Sequence, residues 1–249
     1  MRFVTALRAP VVVAALAGVF SVHAEGHHWS YGQHGGPGEW GELDPAFASC
    51  QIGKVQSPID IRGAKAADLP TIKFDYQPAP LKVIDNGHTI QVNYAPGSTI
   101  DVAGTRYELV QFHFHKPSEE KIDGKSHAMV AHLVHKGGDG ALAVVAVLLD
   151  KGHDNPTLHA IWSHLPKQKD KEVAAPATID ASALLPADKG YYTFEGSLTT
   201  PPCSEGVRWF VLKKPMTLAA NEISAFARLY PMNARPTQPL NGRALEATR

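Results

Sequence analysis

The chain has 249 residues, and 24 Lys and Arg balance 24 Asp and Glu, so its formal net charge is zero. Its length and its hydrophobic fraction of 44% suit one sizeable globular domain. Basic and acidic residues are scattered without a long run of one sign, which argues against nucleic acid or an anionic membrane surface as a partner.

The start of the chain resembles a secretory signal. Basic residues precede an apolar run over residues 9–22, and Val22-His23-Ala24 is a small-x-small site for a signal peptidase. The run is about 14 residues, shorter than the roughly 20 that a spanning helix needs, so a membrane anchor is the weaker alternative. We expect a signal peptide over residues 1–24, a mature chain over 25–249 without a membrane span, and a periplasmic location, with extracellular release as the alternative.

The chain contains two cysteines, Cys50 and Cys203. Export implies an oxidising compartment, where a lone pair of cysteines usually forms a disulfide. Two unrelated buried thiols are the alternative. Two cysteines this far apart cannot make a cysteine-rich zinc site, so a metal would rely on histidines and carboxylates.

Closely spaced turn signals separate short β-rich runs, which is typical of antiparallel neighbours. The run 141–149 is continuously apolar, as in a central strand covered on both faces. We therefore predict a mainly β (α+β) single domain, with one large, twisted, mostly antiparallel sheet and a few short surface helices. The predicted strands cover residues 89–94, 107–115, 127–135, 141–150 and 207–213.

Two helices are predicted after these central strands. Asn155-Pro156 offers an N-cap followed by proline at the first helical position. Apolar residues at helical spacing then extend to Leu165. A second helix is predicted over residues 220–230, with Ile223, Phe226 and Tyr230 on one face.

Histidines alternate with phenylalanines at the end of the strand 107–115. Because side chains alternate faces along a strand, His113 and His115 point the same way, and Phe112 and Phe114 point into a core. Two such imidazoles are two thirds of a three-histidine zinc site. The alternative is a pair of solvated histidines on an exposed strand, or a pair that holds copper or zinc without catalysis.

The third ligand should come from a neighbouring strand, and residues 127–135 are the best source. His132 and His135 are three positions apart, so they face opposite sides of a strand and only one can join the pair. The spacing alone does not choose between them.

Several blocks of the sequence resemble the alpha-class carbonic anhydrases, in family order and over nearly the whole mature chain. The strand blocks 111–115 and 131–135 resemble the family's zinc-ligand strands, and 196–202 resembles its active-site loop. The remaining matching blocks are 28–32, 56–60, 85–88 and 233–240.

The resemblance implies an enzyme, a carbonate dehydratase, whose Zn²⁺ is bound by His113, His115 and His132 with water in the fourth position. It implies reversible hydration of carbon dioxide to bicarbonate and a proton, by attack of zinc-bound hydroxide on the substrate. Thr199 resembles the residue that accepts the hydroxide's hydrogen bond, and Glu119 the carboxylate that takes the Thr199 proton. The alternative is an ordinary turn threonine and a surface glutamate.

The resemblance also assigns a substrate pocket and a proton path. His88 resembles the proton shuttle, because an unperturbed imidazole titrates near neutrality, and Thr200 resembles a bicarbonate contact. Tyr31, Asn86 and Gln91 would hold the water chain, although the family more often has Asn at position 91. The apolar residues beside the zinc, which could equally be ordinary core, are Val134, Val144, Leu198, Val207 and Trp209.

The matching blocks imply partners for the second nitrogens of the ligand histidines. Gln111 would serve His113, and Asn233 would serve His115 through its backbone. The family usually places Glu two residues before the third ligand, where this chain has Val130, so we expect His132 to find another acceptor or a water.

The resemblance also bears on two peptide bonds, and it leaves other functions and the oligomeric state open. The bonds Ser57–Pro58 and Pro201–Pro202 match positions where the family has cis peptides. A non-catalytic zinc-holding relative and a zinc hydrolase acting on esters are the competing functions. The sequence leaves monomer and homodimer open.

Overall fold

The computed structural model describes residues 28–249, so the predicted signal peptide lies outside the described residues. Within this range the strands form a 13-stranded sheet and a small 3-stranded sheet. The strands in chain order are β1 (Asp60–Ile61), β2 (Lys65–Ala67), β3 (Ile72–Asp75), β4 (Ala79–Asp85), β5 (Ile90–Asn93), β6 (Thr99–Val102), β7 (Thr105–His115), β8 (Lys121–Ile122), β9 (Lys125–Ser126), β10 (Met129–Gly137), β11 (Leu142–Lys151), β12 (Val173–Ile179), β13 (Tyr191–Ser197), β14 (Glu205–Leu212), β15 (Met216–Leu218) and β16 (Glu246–Thr248).

The main sheet runs in the order β12-β4-β5-β7-β10-β11-β14-β13-β16-β2, with β6 pairing both β3 and β7, and β15 pairing β11. Most of its pairings are antiparallel, and the parallel ones join β14 and β15 to β11, and β2 to β16. The small sheet joins β1, β8 and β9. The mainly β prediction, with one large, mostly antiparallel sheet, is confirmed.

Each of the five predicted strands is present, with ends displaced by no more than two residues. The apolar run lies in β11, between β10 and β14, and its interior is buried on both faces, as predicted. β4 was not among the strands predicted from the sequence. The structure places this strand between β12 and β5.

The helices are short: α1 (Trp40–Leu43), α2 (Ser49–Ile52), α3 (Pro156–Trp162) and α4 (Ala220–Leu229), with 3₁₀ turns at Pro45–Phe47 and Ala181–Leu184. Asn155 caps α3, since its Oδ1 accepts from the backbone N–H groups of Thr157 at 3.0 Å and Leu158 at 3.2 Å. This helix ends before the predicted Leu165, because Pro166 disfavours helical backbone in the residue that precedes it.

The sheet separates two apolar clusters. Phe112 and Phe114 lie in the larger cluster on one face, and Val144 and Trp209 lie in a second cluster on the other face, which also carries the site. A disulfide joins Cys50 and Cys203, as predicted, with the Cα atoms 5.0 Å apart.

Ser57–Pro58 and Pro201–Pro202 are cis, as predicted, and Lys116–Pro117 is a third cis bond that the prediction did not include. Among residues 28–249 no helix is both long and apolar enough to cross a membrane.

His135 lies on the face of β10 opposite His132 and is fully buried. Its Nε2 is hydrogen-bonded to the Tyr76 hydroxyl at 2.8 Å, and burial lowers its pKa to about 3. The ring therefore stays neutral in the folded chain, whereas it binds a proton below about pH 6.5 once the chain unfolds. The neutral, buried His135 ring therefore contributes fully to the free energy of unfolding above about pH 6.5. This contribution is lost progressively as the pH falls from 6.5 towards 3, because protons bind the unfolded chain more tightly.

This buried ring predicts a pH-dependent loss of stability. Between pH 7 and pH 5 the wild type should lose about 2 kcal/mol more unfolding free energy than His135→Gln, which cannot titrate there. Urea unfolding of both proteins at the two pH values measures the difference, and the other titrating groups cancel in it. Equal losses in the two proteins would show that His135 does not carry this dependence.

Candidate metal centre

Three histidines meet on one face of β7 and β10. His113 and His115 are two positions apart on β7, and the antiparallel register places His132 directly opposite His113. The ring centroids lie 5.0 Å apart for His113 and His115, 5.6 Å for His113 and His132, and 4.8 Å for His115 and His132. One potential ligand atom from each residue lies within 4.8 Å of the others.

Two of these rings have an acceptor at the nitrogen that points away from the cluster. His113 Nδ1 lies 2.8 Å from the Gln111 side-chain oxygen, and His115 Nδ1 lies 2.7 Å from the backbone carbonyl of Asn233. An acceptor at Nδ1 fixes the proton there and leaves the Nε2 lone pair free. These acceptors are the residues that the resemblance assigned to these rings.

The acceptor for His132 is Glu120, which the sequence analysis did not identify. His132 Nε2 lies 3.0 Å from Glu120 Oε1 and 3.2 Å from Oε2, so the free lone pair of this ring is at Nδ1. The signal in the sequence was the second of two adjacent glutamates, together with the missing glutamate at Val130. Neither feature shows by itself that a side chain from another segment reaches His132.

Burial favours the neutral form of His113 and His115, whereas the acidic neighbours of His132 favour its protonated form. Burial lowers the pKa of His113 to about 3, and the neighbouring His132 adds to the fall. Burial also holds the pKa of His115 well below its usual value. For His132, burial lowers the pKa, but the Glu120 and Glu119 carboxylates together outweigh that effect and the net shift is upward. A metal ion competes with protons for these lone pairs, so neutral rings bind it best.

The donor set fits a zinc ion. His115 Nε2 is buried without a hydrogen-bond partner among the described residues, and it faces the same space as His113 Nε2 and His132 Nδ1. An unpartnered buried nitrogen is costly unless something binds its lone pair. Three imidazole nitrogens with no thiolate form the donor set of a catalytic zinc site that keeps its fourth position open.

Glu119 lies beside the three rings and is almost fully buried. Its Oε1 accepts a hydrogen bond from the backbone N–H of Arg235 at 2.8 Å, and its Oε2 lies 3.5 Å from His115 Nε2. Burial raises the pKa of Glu119 to about 7 and Glu120 adds to the rise, while the Arg235 amide and the Thr199 hydroxyl oppose it. Arg235 is a contact that the sequence analysis missed.

Thr199 and Thr200 lie on the loop after β13, and this loop is fixed at several points. Ser197 and Ser57 exchange hydrogen bonds between backbone N–H groups and hydroxyls at 2.9 and 3.1 Å. The backbone N–H of Cys203 donates to the Thr200 carbonyl at 2.8 Å, and Cys203 is joined to Cys50. The loop that carries the two threonines is therefore held rigidly against the sheet.

An apolar cluster borders the His132 side of the centre. Trp209 packs its indole 4.9 Å from the His132 ring, measured between centroids. The other residues predicted for the substrate pocket, which lie in or pack against the same cluster, are Val134, Val144, Leu198 and Val207.

A cleft of about 120 Å³ opens on the other side, towards solvent. It is lined by His113, His115, Gln111 and Thr200, and by the residues predicted for the proton path, Tyr31, Asn86, His88 and Gln91. The centre therefore has an apolar border and a polar border.

His88 lines this cleft and lies on a turn fixed by hydrogen bonds. Asn86 Oδ1 accepts the backbone N–H of His88 at 3.0 Å, and Asn233 Nδ2 donates to the His88 carbonyl at 3.0 Å. The imidazole stacks on Trp29 with centroids 3.6 Å apart, a contact that the sequence analysis missed. Partial burial, followed by the nearby His28, lowers the pKa of His88.

The fold and the donor set together define a zinc enzyme with a three-histidine centre. The family model for eukaryotic-type carbonic anhydrase matches residues 35–249. A carbonic anhydrase of Pectobacterium carotovorum is 46% identical to this chain over 219 residues, which cover 88% of this chain and 90% of the relative. A carbonic anhydrase of Nostoc sp. is 47% identical over 223 residues, which cover 87% of this chain and 84% of the relative. A solved hyperthermostable carbonic anhydrase from an active hydrothermal vent chimney superposes with a TM-score of 0.87 at 47% identity, covering 89% of this chain and all of that one.

The chain belongs to the eukaryotic-type carbonic anhydrase family, the alpha class. It is a zinc-dependent enzyme that interconverts carbon dioxide and bicarbonate.

Proposed function

We propose that this chain hydrates carbon dioxide with His113, His115 and His132 as the protein ligands of one zinc ion. The observation that carries the proposal is the convergence of three lone-pair nitrogens whose partner N–H groups each have an acceptor. Bound zinc acts as a Lewis acid that lowers the pKa of water to about 7, a value known for carbonic anhydrases as a class. Neutral imidazole ligands leave the positive charge of the site undiminished for that purpose.

Thr199 and Glu119 would orient the attacking hydroxyl group. When Glu119 is ionised, its carboxylate only accepts hydrogen bonds, so the Thr199 hydroxyl would have to donate to it. The Thr199 oxygen is then left as an acceptor for the hydroxyl proton, which turns a lone pair of the nucleophile towards the substrate. The amide of Arg235 holds the carboxylate in place, and the anchored loop holds the threonine.

The apolar border of the centre would receive carbon dioxide, which has no net dipole and makes few hydrogen bonds. Trp209, Val144 and Val207 are almost fully buried there, with Val134 and Leu198 packed against them. Thr200 lines the polar cleft, where its hydroxyl would contact bicarbonate. All of the proposed site residues come from one chain, so the assignment holds for a monomer and for a homodimer.

His88 would carry the reaction's proton from the cleft to buffer. Its place in the same cleft as His113 supports this role, and Asn86, Gln91 and Tyr31 line that cleft too. Asn86 Nδ2 donates to Gln91 Oε1 at 3.3 Å, so Gln91 completes a polar wall where the family more often has Asn.

Replacing His88 with alanine tests the proton path. The kcat for hydration should fall by about 10-fold or more, because a positioned acid–base group is lost. The kcat/KM should change little, since proton export follows the chemical step. Stopped-flow hydration with and without added imidazole measures both, and imidazole should restore the rate. His34→Ala, at an exposed histidine, should behave like the wild type, and unchanged kcat in His88→Ala would refute the assignment.

The disulfide supports export, and we propose a periplasmic enzyme that begins at Glu25 after cleavage of the signal peptide. Expression of the full chain in a Gram-negative host, followed by fractionation and N-terminal sequencing, tests this. A periplasmic product with Glu25 first is the expected result. A full-length membrane-bound product would contradict it.

A further inference from the structure

We propose that Glu120 is a positioning residue of the zinc centre, which fixes His132 from the loop before β8. The inference rests on the proposed role of His132 as a zinc ligand. The acceptor for this ring does not come from its own strand, because position 130 holds a valine. It comes instead from a segment twelve residues earlier in the chain.

The contact between Glu120 and His132 is short and buried from solvent. Glu120 is completely buried, and its two carboxylate oxygens lie 3.0 and 3.2 Å from His132 Nε2. Among the described residues His132 is the one hydrogen-bond donor to this carboxylate. The hydrogen bond from the His132 Nε2–H is therefore the one that this carboxylate accepts among the described residues.

The loop that carries Glu120 is fixed by its own hydrogen bonds. The Ser118 hydroxyl donates to the Glu120 carbonyl at 2.7 Å and accepts the His127 backbone N–H at 2.9 Å. The next residue, Lys121, begins β8 and donates its backbone N–H to the Ile59 carbonyl at 3.3 Å. A carboxylate on so constrained a backbone can orient a ring, whereas one on a free loop could not.

Because Glu120 already accepts from His132 Nε2, a second carboxylate at position 130 would have no donor from that ring. Val130 is completely buried and belongs to the same apolar cluster as Ile59, which precedes β1, and Ile61 of β1. An unpaired carboxylate in such a cluster would be costly. Val130 therefore contributes apolar packing, and Glu120 contributes the acceptor for His132.

The arrangement has a consequence for metal binding. A buried carboxylate with one neutral donor is poorly compensated. A dication on the opposite nitrogen polarises the imidazole and strengthens the N–H bond to Glu120, so metal binding and the buried charge favour each other. Glu120 would thus fix the His132 tautomer and raise the basicity of its Nδ1.

Glu120→Gln tests the proposal, since glutamine keeps the shape and one acceptor oxygen but removes the charge. Zinc affinity, measured by competition with a chromophoric chelator, should fall by about 10-fold. The matched control is Glu222→Gln, at another almost fully buried glutamate, whose Oε2 accepts the Ala219 backbone N–H at the start of α4. This control should bind zinc like the wild type.

Nuclear magnetic resonance of the zinc-loaded proteins separates positioning from general loosening of the fold. The Nε2 proton of His132 should move upfield in Glu120→Gln, because a charge-assisted hydrogen bond is weakened, while the ring protons of His113 and His115 stay in place. Wild-type zinc affinity in Glu120→Gln, or equal movement of all three ring protons, would overturn the proposal. Failure of the wild type itself to bind zinc would instead refute the ligand assignment.

Discussion

His113→Ala is expected to lose zinc and, with it, hydration of carbon dioxide. If three ligands share roughly 12 kcal/mol of binding free energy, the loss of one costs about 4 kcal/mol, or about 1,000-fold in affinity. His113 is suited to this test because its ring lies between Gln111 and the cleft, so its removal disturbs little packing. Metal analysis after dialysis and stopped-flow hydration measure the two losses.

The matched control for His113→Ala is His127→Ala. His127 lies just before β10, and its Nδ1 pairs with Asp150 at 2.9 Å, away from the three rings. This variant should keep full zinc content and hydration activity. A His113→Ala variant that still binds one zinc per chain with wild-type affinity would contradict the ligand assignment.

Thr199→Ala is expected to keep its zinc and lose about 100-fold in kcat/KM for hydration, the usual loss when a group that orients a reacting atom is removed. Alanine has no oxygen to accept the proton of the attacking hydroxyl, and it removes the hydroxyl that we propose donates to Glu119. Glu119 and the three histidines are not altered, so the zinc content should not change.

Thr199→Ser is the control for this loss, because serine keeps the hydroxyl and deletes only a methyl group. Its kcat/KM should lie within a few-fold of the wild-type value. Stopped-flow assays of the three proteins at equal zinc content make the comparison. Wild-type activity in Thr199→Ala would refute the orienting role, as would an equal loss in both variants.

Much of the fold follows from local features of the sequence. Period-two alternation places His113 and His115 together on β7, and the apolar run of β11 predicts a strand covered on both faces. The Asn155-Pro156 pair predicts where α3 begins, because the cap chemistry is local. By contrast, β4 was not predicted, and the proline near its start, Pro80, is unusual inside a sheet because it cannot donate a backbone hydrogen bond.

The part of the site that the sequence did not predict depends on contacts between distant segments. Spacing left His132 and His135 as alternatives, and only the family resemblance favoured His132. Neither pattern nor resemblance pointed to Glu120, because its role arises from the path of the loop before β8. The stacking of Trp29 on His88 and the contact of the Arg235 amide with Glu119 also join segments that are distant in the sequence.

Stepwise addition of zinc to the metal-free chain, with hydration activity measured after each step, tests whether hydration depends on a single zinc centre. We expect activity to rise in proportion to added zinc and to stop rising at one ion per chain. Full activity without zinc, or a rise that continues to two ions per chain, would contradict a single centre held by His113, His115 and His132.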